Sequence, residues 1–363
     1  MKVTFFVPSM AGGGAERVIC NISNALASKG VDVALLLMKK EGPFLSQLNP
    51  KIPVEEVGSF STRKALSAVI RYLKVNPDRI FFSALDNANI VTSLAGALNR
   101  KARTCVSIHN TLSQVYRADS PSYLKRRASL MRLLYPRVTG RLCVSAGVAD
   151  DAADFLRVAR SRFKVVYNPC ISPELFQKST ELLNDETFSS LPAPKLVAIG
   201  RLHEQKDYPT LLKAVQRLKA AGPVSLTILG EGPLLEKLVA EAKELGVKDA
   251  VYFAGFQANP YPYLRASNAL VLSSRYEGFG VVLAEAIALG IPVASTDCPH
   301  GPAEILNNGE FGYLAPVGDA DGLADSISRT LSAPRTVPQE AWQRFTLDYI
   351  ADEYRTYLQE LAA

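Results

Sequence analysis

Short apolar segments alternate with helical stretches along this chain, and they do so in two separate series. Apolar runs of strand length that are separated by helices are typical of parallel strands covered on both faces. The first series of predicted strands lies at residues 3–7, 31–38, 80–83, 104–108, 141–144 and 164–167. The second series lies at residues 195–199, 224–229, 250–253, 269–272 and 291–295. The pattern therefore predicts an α/β fold of two doubly wound, Rossmann-like domains.

The boundary between the two series is a polar segment at residues 171–194, which has no apolar strand and ends in Leu-Pro-Ala-Pro. We interpret it as a linker between an N-terminal, acceptor-side domain at 1–170 and a C-terminal domain at 195–340. Residues 341–363 are left over as a C-terminal helix, predicted from 342 to 361, which we expect to return to the N-terminal domain. Because doubly wound domains bind ligands at the carboxyl ends of their strands, we expect the two domains to face a central crevice.

Charge is divided unequally between the two halves of the chain. Residues 1–170 carry 25 Lys and Arg against 11 Asp and Glu, whereas residues 171–363 carry 16 against 24. The net charges are therefore +14 and −8. A basic half predicts an anionic partner, and nucleic acid, anionic lipid and a phosphorylated acceptor all fit this charge alone.

Composition excludes several classes of protein. Hydrophobic residues at 48% and charged residues at 21% are near the average of globular proteins, and no apolar run reaches the roughly 20 residues of a membrane helix. We expect no secretory signal, because the strand at 3–7 runs directly into Pro8. The five cysteines are scattered and form no C-x-x-C pair, which favours a reducing cytoplasm over a zinc or disulfide protein.

Residues 277–285, Glu-Gly-Phe-Gly-Val-Val-Leu-Ala-Glu, follow the predicted strand at 269–272. A strand, a glycine turn and a helix start form an anion site, because free backbone amides and the positive helix end point toward the turn. Glu277 is expected in the turn and Glu285 inside the helix, about 80° apart around the helix axis. Two carboxylates so placed would serve different atoms of a ligand. A glycine turn that caps an ordinary core helix is the structural alternative.

A second polar loop follows the first strand of the second series. It runs from Gly200 through Arg201 to Lys206. An arginine there could bind a diphosphate through two parallel hydrogen bonds, and the lysine could act as a point charge. A loop of solvated charges is the alternative interpretation.

A glycine loop of residues 12–14 follows the strand at 3–7, with Glu16 just beyond it. Its glycines would let backbone amides approach a phosphate or an acceptor, although a tight strand-to-helix turn has the same composition. A dinucleotide-binding fingerprint is a weak match, because Arg17 stands in the place of the third glycine and Asp32 lies early in the second strand.

The segment from Glu277 to Glu285 resembles the signature of the retaining glycosyltransferases of family 4, in which two glutamates flank seven residues and Gly-Phe-Gly follows the first. This resemblance implies that Glu277 faces the hydroxyls of the donor sugar and that Glu285 accepts both ribose hydroxyls. It also implies catalytic roles for Arg201 and Lys206 at the diphosphate and for His109 beside the donor sugar. The remaining residues that it assigns to the nucleotide-sugar site are Gly13, Gly14, Gly200, Phe256, Gly278, Phe279, Gly280 and Val281.

The family resemblance implies a GT-B enzyme that transfers a sugar with retention and without a metal, which agrees with the lack of an Asp-x-Asp motif. We expect no side-chain nucleophile, no cofactor, no nucleic-acid partner, and no metal at His203 or His300. Residues 167–169 and 297–305 resemble segments of transferases that act on lipid-linked oligosaccharides. We therefore expect a UDP-linked hexose or N-acetylhexosamine as donor and a polyprenyl-diphosphate-linked glycan as acceptor.

A basic helix is predicted after Ser120 and Pro121, with the residues 124, 128, 131 and 134 or 135 forming an apolar stripe. Its cationic residues fall largely outside that stripe, which is typical of a helix at an anionic surface or of a core helix with a solvated face. We expect the enzyme to be cytoplasmic and peripheral on the inner face of the membrane. The residues expected to bind the acceptor are Glu16, Lys125, Arg126, Arg127 and Arg132.

Two other functions remain open at the level of sequence. A non-catalytic sugar-binding protein, such as a solute receptor, also binds its ligand between two α/β domains, but it would need export. A nucleotide-sugar epimerase of similar architecture is the enzyme alternative, and it would not release free nucleotide in response to an acceptor.

Overall fold

A computed structural model describes residues 1–11, 13–117 and 119–363, so that Gly12 of the predicted glycine loop lies outside the described residues. The chain divides into two compact units. Unit 1 comprises Met1–Pro169 together with Arg344–Ala363, and unit 2 comprises Cys170–Gln343. Within the described ranges, no helix is long and apolar enough to cross a membrane.

Each unit is built on one parallel sheet, and the described residues form seven strands in unit 1 and six in unit 2. The strand order in unit 1 is β3-β2-β1-β4-β5-β6-β7, and the order in unit 2 is β10-β9-β8-β11-β12-β13. The strands of unit 1 are β1 (Lys2–Val7), β2 (Asp32–Leu37), β3 (Val54–Glu56), β4 (Ile80–Ala84), β5 (Thr104–Ile108), β6 (Gly140–Cys143) and β7 (Lys164–Val165). Those of unit 2 are β8 (Lys195–Ile199), β9 (Ser225–Leu229), β10 (Val251–Gly255), β11 (Ala269–Leu272), β12 (Val293–Thr296) and β13 (Tyr313–Ala315).

Helices connect successive strands, as parallel pairing requires. The α-helices in chain order are α1 (Gly14–Ser28), α2 (Thr62–Val75), α3 (Asp86–Leu98), α4 (Leu112–Val115), α5 (Ser122–Leu134), α6 (Ala146–Leu156), α7 (Pro173–Ser179), α8 (Glu186–Ser190), α9 (Tyr208–Ala221), α10 (Leu235–Glu244), α11 (Tyr261–Arg265), α12 (Val281–Ala288), α13 (Pro302–Ile305), α14 (Ala320–Ser332), α15 (Gln339–Gln343) and α16 (Leu347–Ala362). Short 3₁₀ turns lie at Pro43–Gln47, Tyr135–Arg137, Arg160–Arg162, Glu204–Lys206, Lys248–Ala250 and Asn307–Gly309.

The prediction of two doubly wound domains is confirmed by these sheets. The central strands are buried on both faces, which is why they appear in the sequence as continuous apolar runs. The sequence missed β3 and β13, which are three-residue strands at the sheet edges. Such short strands carry too few apolar residues to produce a periodic signal.

Two boundaries differ from the prediction. The segment at 171–194, interpreted as a linker, contains α7 and α8 and belongs to unit 2, because Leu175 and Phe188 are buried there. The predicted C-terminal helix is two helices, α15 in unit 2 and α16 in unit 1. The break follows from Phe345, which is buried edge-on against the Tyr167 ring and so leaves the helical path.

Candidate functional site

The carboxyl ends of β8 and β11 form the switch point of the unit 2 sheet. The chain moves outward from β8 through β9 to β10, and it then returns to β11 on the other side of β8. Loops that leave two such strands diverge and open a ligand crevice at the sheet edge. The loop after β8 contains Lys206, and the loop after β11 contains Glu277, so the fold brings these two predicted residues together.

One carboxylate oxygen joins the two loops. Oε1 of Glu277 accepts a hydrogen bond from Nζ of Lys206 at 2.6 Å and another from Oγ of Ser274 at 2.6 Å. Backbone contacts add to this connection, since Gln205 Nε2 donates to the Tyr276 carbonyl at 2.8 Å. Glu277 is therefore held in one position by groups from both strands.

The Lys206–Glu277 ion pair is shielded from solvent on both sides, with 18% and 10% of the side chains exposed. Removing one partner of such a pair is costly, because it leaves a poorly solvated charge without its counterion. Gly200 makes the geometry possible, since a Cβ at that position would lie 2.8 Å from Cε of Lys206. The glycine after β8 is thus explained by the passage of the lysine side chain.

The segment after β12 covers the backbone of Glu277. The Glu277 amide donates to the Pro299 carbonyl at 2.7 Å, and the His300 amide donates to the Glu277 carbonyl at 3.0 Å. Gly301 has φ +102°, and a Cβ there would meet the Phe279 carbonyl oxygen at 2.0 Å, so only glycine fits. Burial raises the pKa of the neighbouring Cys298 thiol to about 12, which keeps it protonated at neutral pH.

The helix α12 begins where the sequence places it. Gly280 precedes it in the left-handed region at φ +96°, and Glu277 lies outside the helix in the turn, as predicted. Phe279 is buried against this turn. Glu285 lies inside the helix with 5% of its surface exposed, and its Oε1 accepts a hydrogen bond from the Tyr261 hydroxyl at 2.8 Å.

Two predicted residues of unit 2 are exposed. Arg201 follows Gly200 at the end of β8 and makes no ion pair with another described residue. Phe256 follows β10, with 69% of its surface exposed, and β10 lies two strands away from β8 in the sheet. Arg201 therefore lies at the switch point, whereas Phe256 lies at the same sheet edge but farther along it.

The predicted glycine loop of unit 1 lies at the end of β1, which has β2 on one side and β4 on the other. Gly13 caps α1 and Gly14 is its first residue. The Glu16 side chain folds back toward this cap, since a Cβ on Gly13 would lie 2.3 Å from Oε2 of Glu16. This carboxylate occupies the first turn of α1, where the helix dipole favours negative charge.

His109 follows β5 and is half-buried. Its Nε2 lies 2.9 Å from the Ser107 hydroxyl. Burial lowers the pKa of the His109 imidazole to about 4, so the ring is neutral near pH 7. A neutral imidazole can donate or accept a hydrogen bond from a sugar hydroxyl without adding a charge.

The basic helix α5 begins at Ser122, with Pro121 rather than Ser120 at its N-cap. The predicted apolar stripe is buried at Ala128, Met131 and Leu134, so this face packs in unit 1. The predicted acceptor residues divide into two exposed cations, Lys125 and Arg126, and two engaged ones.

Arg127 is half-buried, and its charge acts on Asp86. Arg132 packs against α6, with Nε donating to the Phe155 carbonyl at 2.9 Å and the guanidinium 4.4 Å from the Phe155 ring centroid. The sequence treats all four cations alike, because helical spacing does not reveal which of them a neighbouring helix contacts.

Sequence analysis did not identify Ser274, Tyr261 or Asp86. Serine and tyrosine at these positions carry no motif, and their roles depend on contacts with distant segments. In the part of the chain that the structure describes, no group of three or more His, Cys, Asp or Glu side chains could hold a metal ion.

Two curated relatives match nearly the whole chain. One is the "N-acetylgalactosamine-N,N'-diacetylbacillosaminyl-diphospho-undecaprenol 4-alpha-N-acetylgalactosaminyltransferase" of Campylobacter jejuni, 26% identical over 91% of this chain and 90% of the relative. The other is the "Lipopolysaccharide core biosynthesis glycosyltransferase LpsE" of Rhizobium meliloti, 28% identical over 92% of this chain and 89% of the relative.

Solved structures agree with the observed architecture. The crystal structure of Anabaena Alr3699/HepE in complex with UDP matches 99% of this chain and 100% of that chain with a TM-score of 0.81, at 20% identity. The apo form of the lipopolysaccharide outer core galactosyltransferase WaaB covers 99% of both chains with a TM-score of 0.75, at 21% identity. At these identities the likeness concerns the fold.

Family models match both units. The model described as Glycosyltransferase Family 4 matches residues 12–170, and the model described as Glycosyl transferases group 1 matches residues 181–344. Between them they cover most of the chain, and their boundary falls near the division into two units. The protein therefore belongs to glycosyltransferase family 4 and has the GT-B fold of two Rossmann-like domains.

Proposed function

We propose that this glycosyltransferase moves a hexose or N-acetylhexosamine from a UDP-sugar, with retention and without a metal, to a glycan carried on polyprenyl diphosphate. The observation that carries the proposal is the Lys206–Glu277 pair at the switch point of unit 2, with Glu285 one helix start away. This arrangement supplies separate groups for a sugar, a diphosphate and a ribose at one sheet edge.

The donor is held by unit 2 in this proposal. Arg201 and Lys206 bind the diphosphate, the first turn of α12 contributes backbone amides, and Glu285 accepts the ribose hydroxyls. UDP as the nucleotide is supported by the HepE structure, which was solved in complex with UDP. N-acetylhexosamine as the sugar is supported by the Campylobacter relative, which is named as an N-acetylgalactosaminyltransferase.

The chemistry rests on electrostatic stabilisation of the leaving diphosphate. Arg201, Lys206 and the positive end of α12 offset the negative charge that grows as the glycosidic bond breaks. The acceptor hydroxyl attacks on the face that the leaving group departs from, and its proton passes to the departing phosphate. Glu277, fixed through Oε1, positions the donor sugar. Neither Cys298 nor Tyr208 acts as a nucleophile, because burial raises the pKa of both groups.

Unit 1 binds the acceptor at a membrane surface in this proposal. Its basic charge and the exposed Lys125 and Arg126 on α5 attract anionic lipid and the acceptor diphosphate. The same helix exposes Tyr123 and Leu133, whose surfaces are 56% and 53% accessible and can enter the interfacial region. An acceptor on polyprenyl diphosphate, at the inner face of the cytoplasmic membrane, is also supported by the diphospho-undecaprenol substrate in the name of the Campylobacter relative.

The test incubates the protein with UDP-sugars and prenyl-diphosphate-linked N-acetylhexosamine acceptors, with EDTA present throughout. We expect UDP release and an α-linked product that depend on acceptor. Loss of turnover in EDTA, restored by magnesium or manganese, would contradict the metal-independent part of the proposal. UDP release or sugar interconversion without acceptor would favour an epimerase, and binding without any turnover would favour a sugar-binding protein.

A further inference from the structure

Asp86, Tyr116 and Arg127 form a polar cluster in unit 1 that the donor site does not use. Asp86 is the first residue of α3, directly after β4. The Tyr116 hydroxyl donates a short hydrogen bond to Oδ2 of Asp86. The tyrosine ring is buried against Phe155, with ring centroids 6.0 Å apart, so the hydroxyl is firmly placed. No other described residue hydrogen-bonds to Asp86 Oδ1.

The cluster lies at the same sheet edge as His109. In the parallel register of β4 and β5, Ala84 is paired with Ser107. Asp86 and His109 each lie two residues beyond that pair, on strands that are about 4.8 Å apart. The two residues therefore leave neighbouring strands at the same level.

A buried hydrogen-bond network joins the two loops as well. Asn89, one turn after Asp86 on α3, accepts from the Ser83 hydroxyl at 2.8 Å and donates to the Ser107 carbonyl at 2.8 Å. The Ser107 hydroxyl in turn lies 2.9 Å from the His109 ring. The start of α3 is thus held in a fixed position relative to His109.

Asp86 and Arg127 interact without forming an ion pair in the part of the chain that the structure describes. Burial raises the pKa of Asp86, while the Tyr116 hydrogen bond and the Arg127 charge act in the opposite direction. A carboxylate and a guanidinium that face each other without contact leave an acceptor and a set of donors available. Adjacent hydroxyls of a sugar ring satisfy both, since each hydroxyl can donate and accept. A phosphate does not fit as well, because the carboxylate would repel it.

We propose that Asp86 and Arg127 bind the terminal sugar of the acceptor glycan, with Tyr116 positioning the carboxylate. The inference rests on the proposed function, and it deepens it by naming the part of the acceptor that this cluster binds. It also removes Arg127 from the cations expected at the lipid diphosphate and leaves Lys125 and Arg126 for that role.

The test compares Asp86→Asn and Tyr116→Phe with the wild type, using the prenyl-diphosphate-linked N-acetylhexosamine to which the wild type transfers. We expect Asp86→Asn to raise the acceptor KM by about tenfold or more, since it loses a charge-assisted hydrogen bond to a hydroxyl. Tyr116→Phe should raise it by roughly threefold, because the ring packing stays and only the positioning hydroxyl is lost. Donor KM and UDP titration should match the wild type in both variants.

Asp119→Asn is the matched control, because Asp119 is an exposed acid of the same loop region whose partner is Arg117. It should leave the acceptor KM unchanged. An unchanged acceptor KM in Asp86→Asn, or a parallel loss of UDP binding that marks a structural defect, would overturn this subsite while the proposed function stands. Absence of transfer by the wild type to every such acceptor would overturn the proposed function and the subsite together.

Discussion

At the scale of single residues, the unit 2 site depends on carboxylates that are held in place before any ligand arrives. Glu277 is fixed by Lys206 and Ser274, and Glu285 is fixed by Tyr261. Preorganised polar groups stabilise developing charge without reorganising during the reaction. The exposed Arg201 differs from them, because it becomes ordered only when a diphosphate pairs with it.

We expect Glu285→Ala and Arg201→Ala each to weaken UDP binding by about tenfold or more. The first variant loses the ribose contacts and the second leaves diphosphate charge unpaired, and charge-assisted hydrogen bonds contribute about 1.5–3 kcal/mol each. Calorimetric titration with UDP measures the change. Glu236→Ala and Arg217→Ala, on exposed positions of α10 and α9, are the controls. UDP curves that coincide for all five proteins would remove the proposed donor site.

At the scale of elements, α5 has different neighbours on each of its faces. Its apolar face is buried, Arg127 acts on Asp86 and Arg132 packs on α6, which leaves Lys125 and Arg126 in its first turns facing solvent. Because the helix follows β5, these turns lie toward the carboxyl edge of the sheet, where His109 lies.

We expect the double variant Lys125→Ser/Arg126→Ser to bind vesicles of anionic phospholipid more weakly and to require more lipid-linked acceptor. Each cation near an anionic surface contributes about 1 kcal/mol, so removing two should reduce vesicle partitioning by roughly tenfold or more at physiological salt. Vesicle sedimentation and the acceptor KM are the measurements. UDP binding should not change.

The matched control for α5 is Arg100→Ser/Lys101→Ser, which removes the same charge from exposed residues before the amino end of β5. These residues lie at the opposite edge of the same sheet. If both double variants lost vesicle binding equally, overall charge rather than α5 would be responsible. If neither lost it, α5 would have only a solvated face.

At the scale of the whole molecule, the chain returns to unit 1 after completing unit 2. The helix α16 packs there through Tyr354, which is 1% exposed and lies 5.7 Å from the Phe82 ring centroid, and through ion pairs from Lys29 to Asp348 and Asp352. The exposed ion pairs contribute little, so the buried tyrosine provides most of the attachment.

We expect Tyr354→Ala to lower the free energy of unfolding of unit 1 by about 3–5 kcal/mol, the range for large aromatic truncations in a core. Tyr349→Ala, at a position of α16 that is 49% exposed, should have almost no effect. Circular dichroism follows both units during denaturation. The only tryptophan, Trp342, lies in unit 2, and its fluorescence should report an unchanged transition. A Tyr354→Ala protein as stable as Tyr349→Ala would contradict this role of α16.

The site was only partly predictable, and particular residues show why. Glu277, Glu285 and Lys206 follow from glycine loops at strand ends, because the anion-binding geometry of such loops is local. Ser274 and Tyr261 could not be found in the same way, since their partners are set by packing between segments. Arg127 and Arg132 were grouped with Lys125 by helical spacing, which carries no information about contacts with α3 and α6.

The sequence by itself determined the two α/β domains, the positions of most strands and the loops where anions bind. These features depend on the local period of apolar residues and on glycine, and both are written in consecutive positions. Only the tertiary structure decided that β8 lies beside β11, and therefore that Lys206 meets Glu277 across 71 residues of chain. It likewise decided that Asp86 lies level with His109. Strand order depends on how helices pack over the whole sheet, and apolar periodicity is the same for every order.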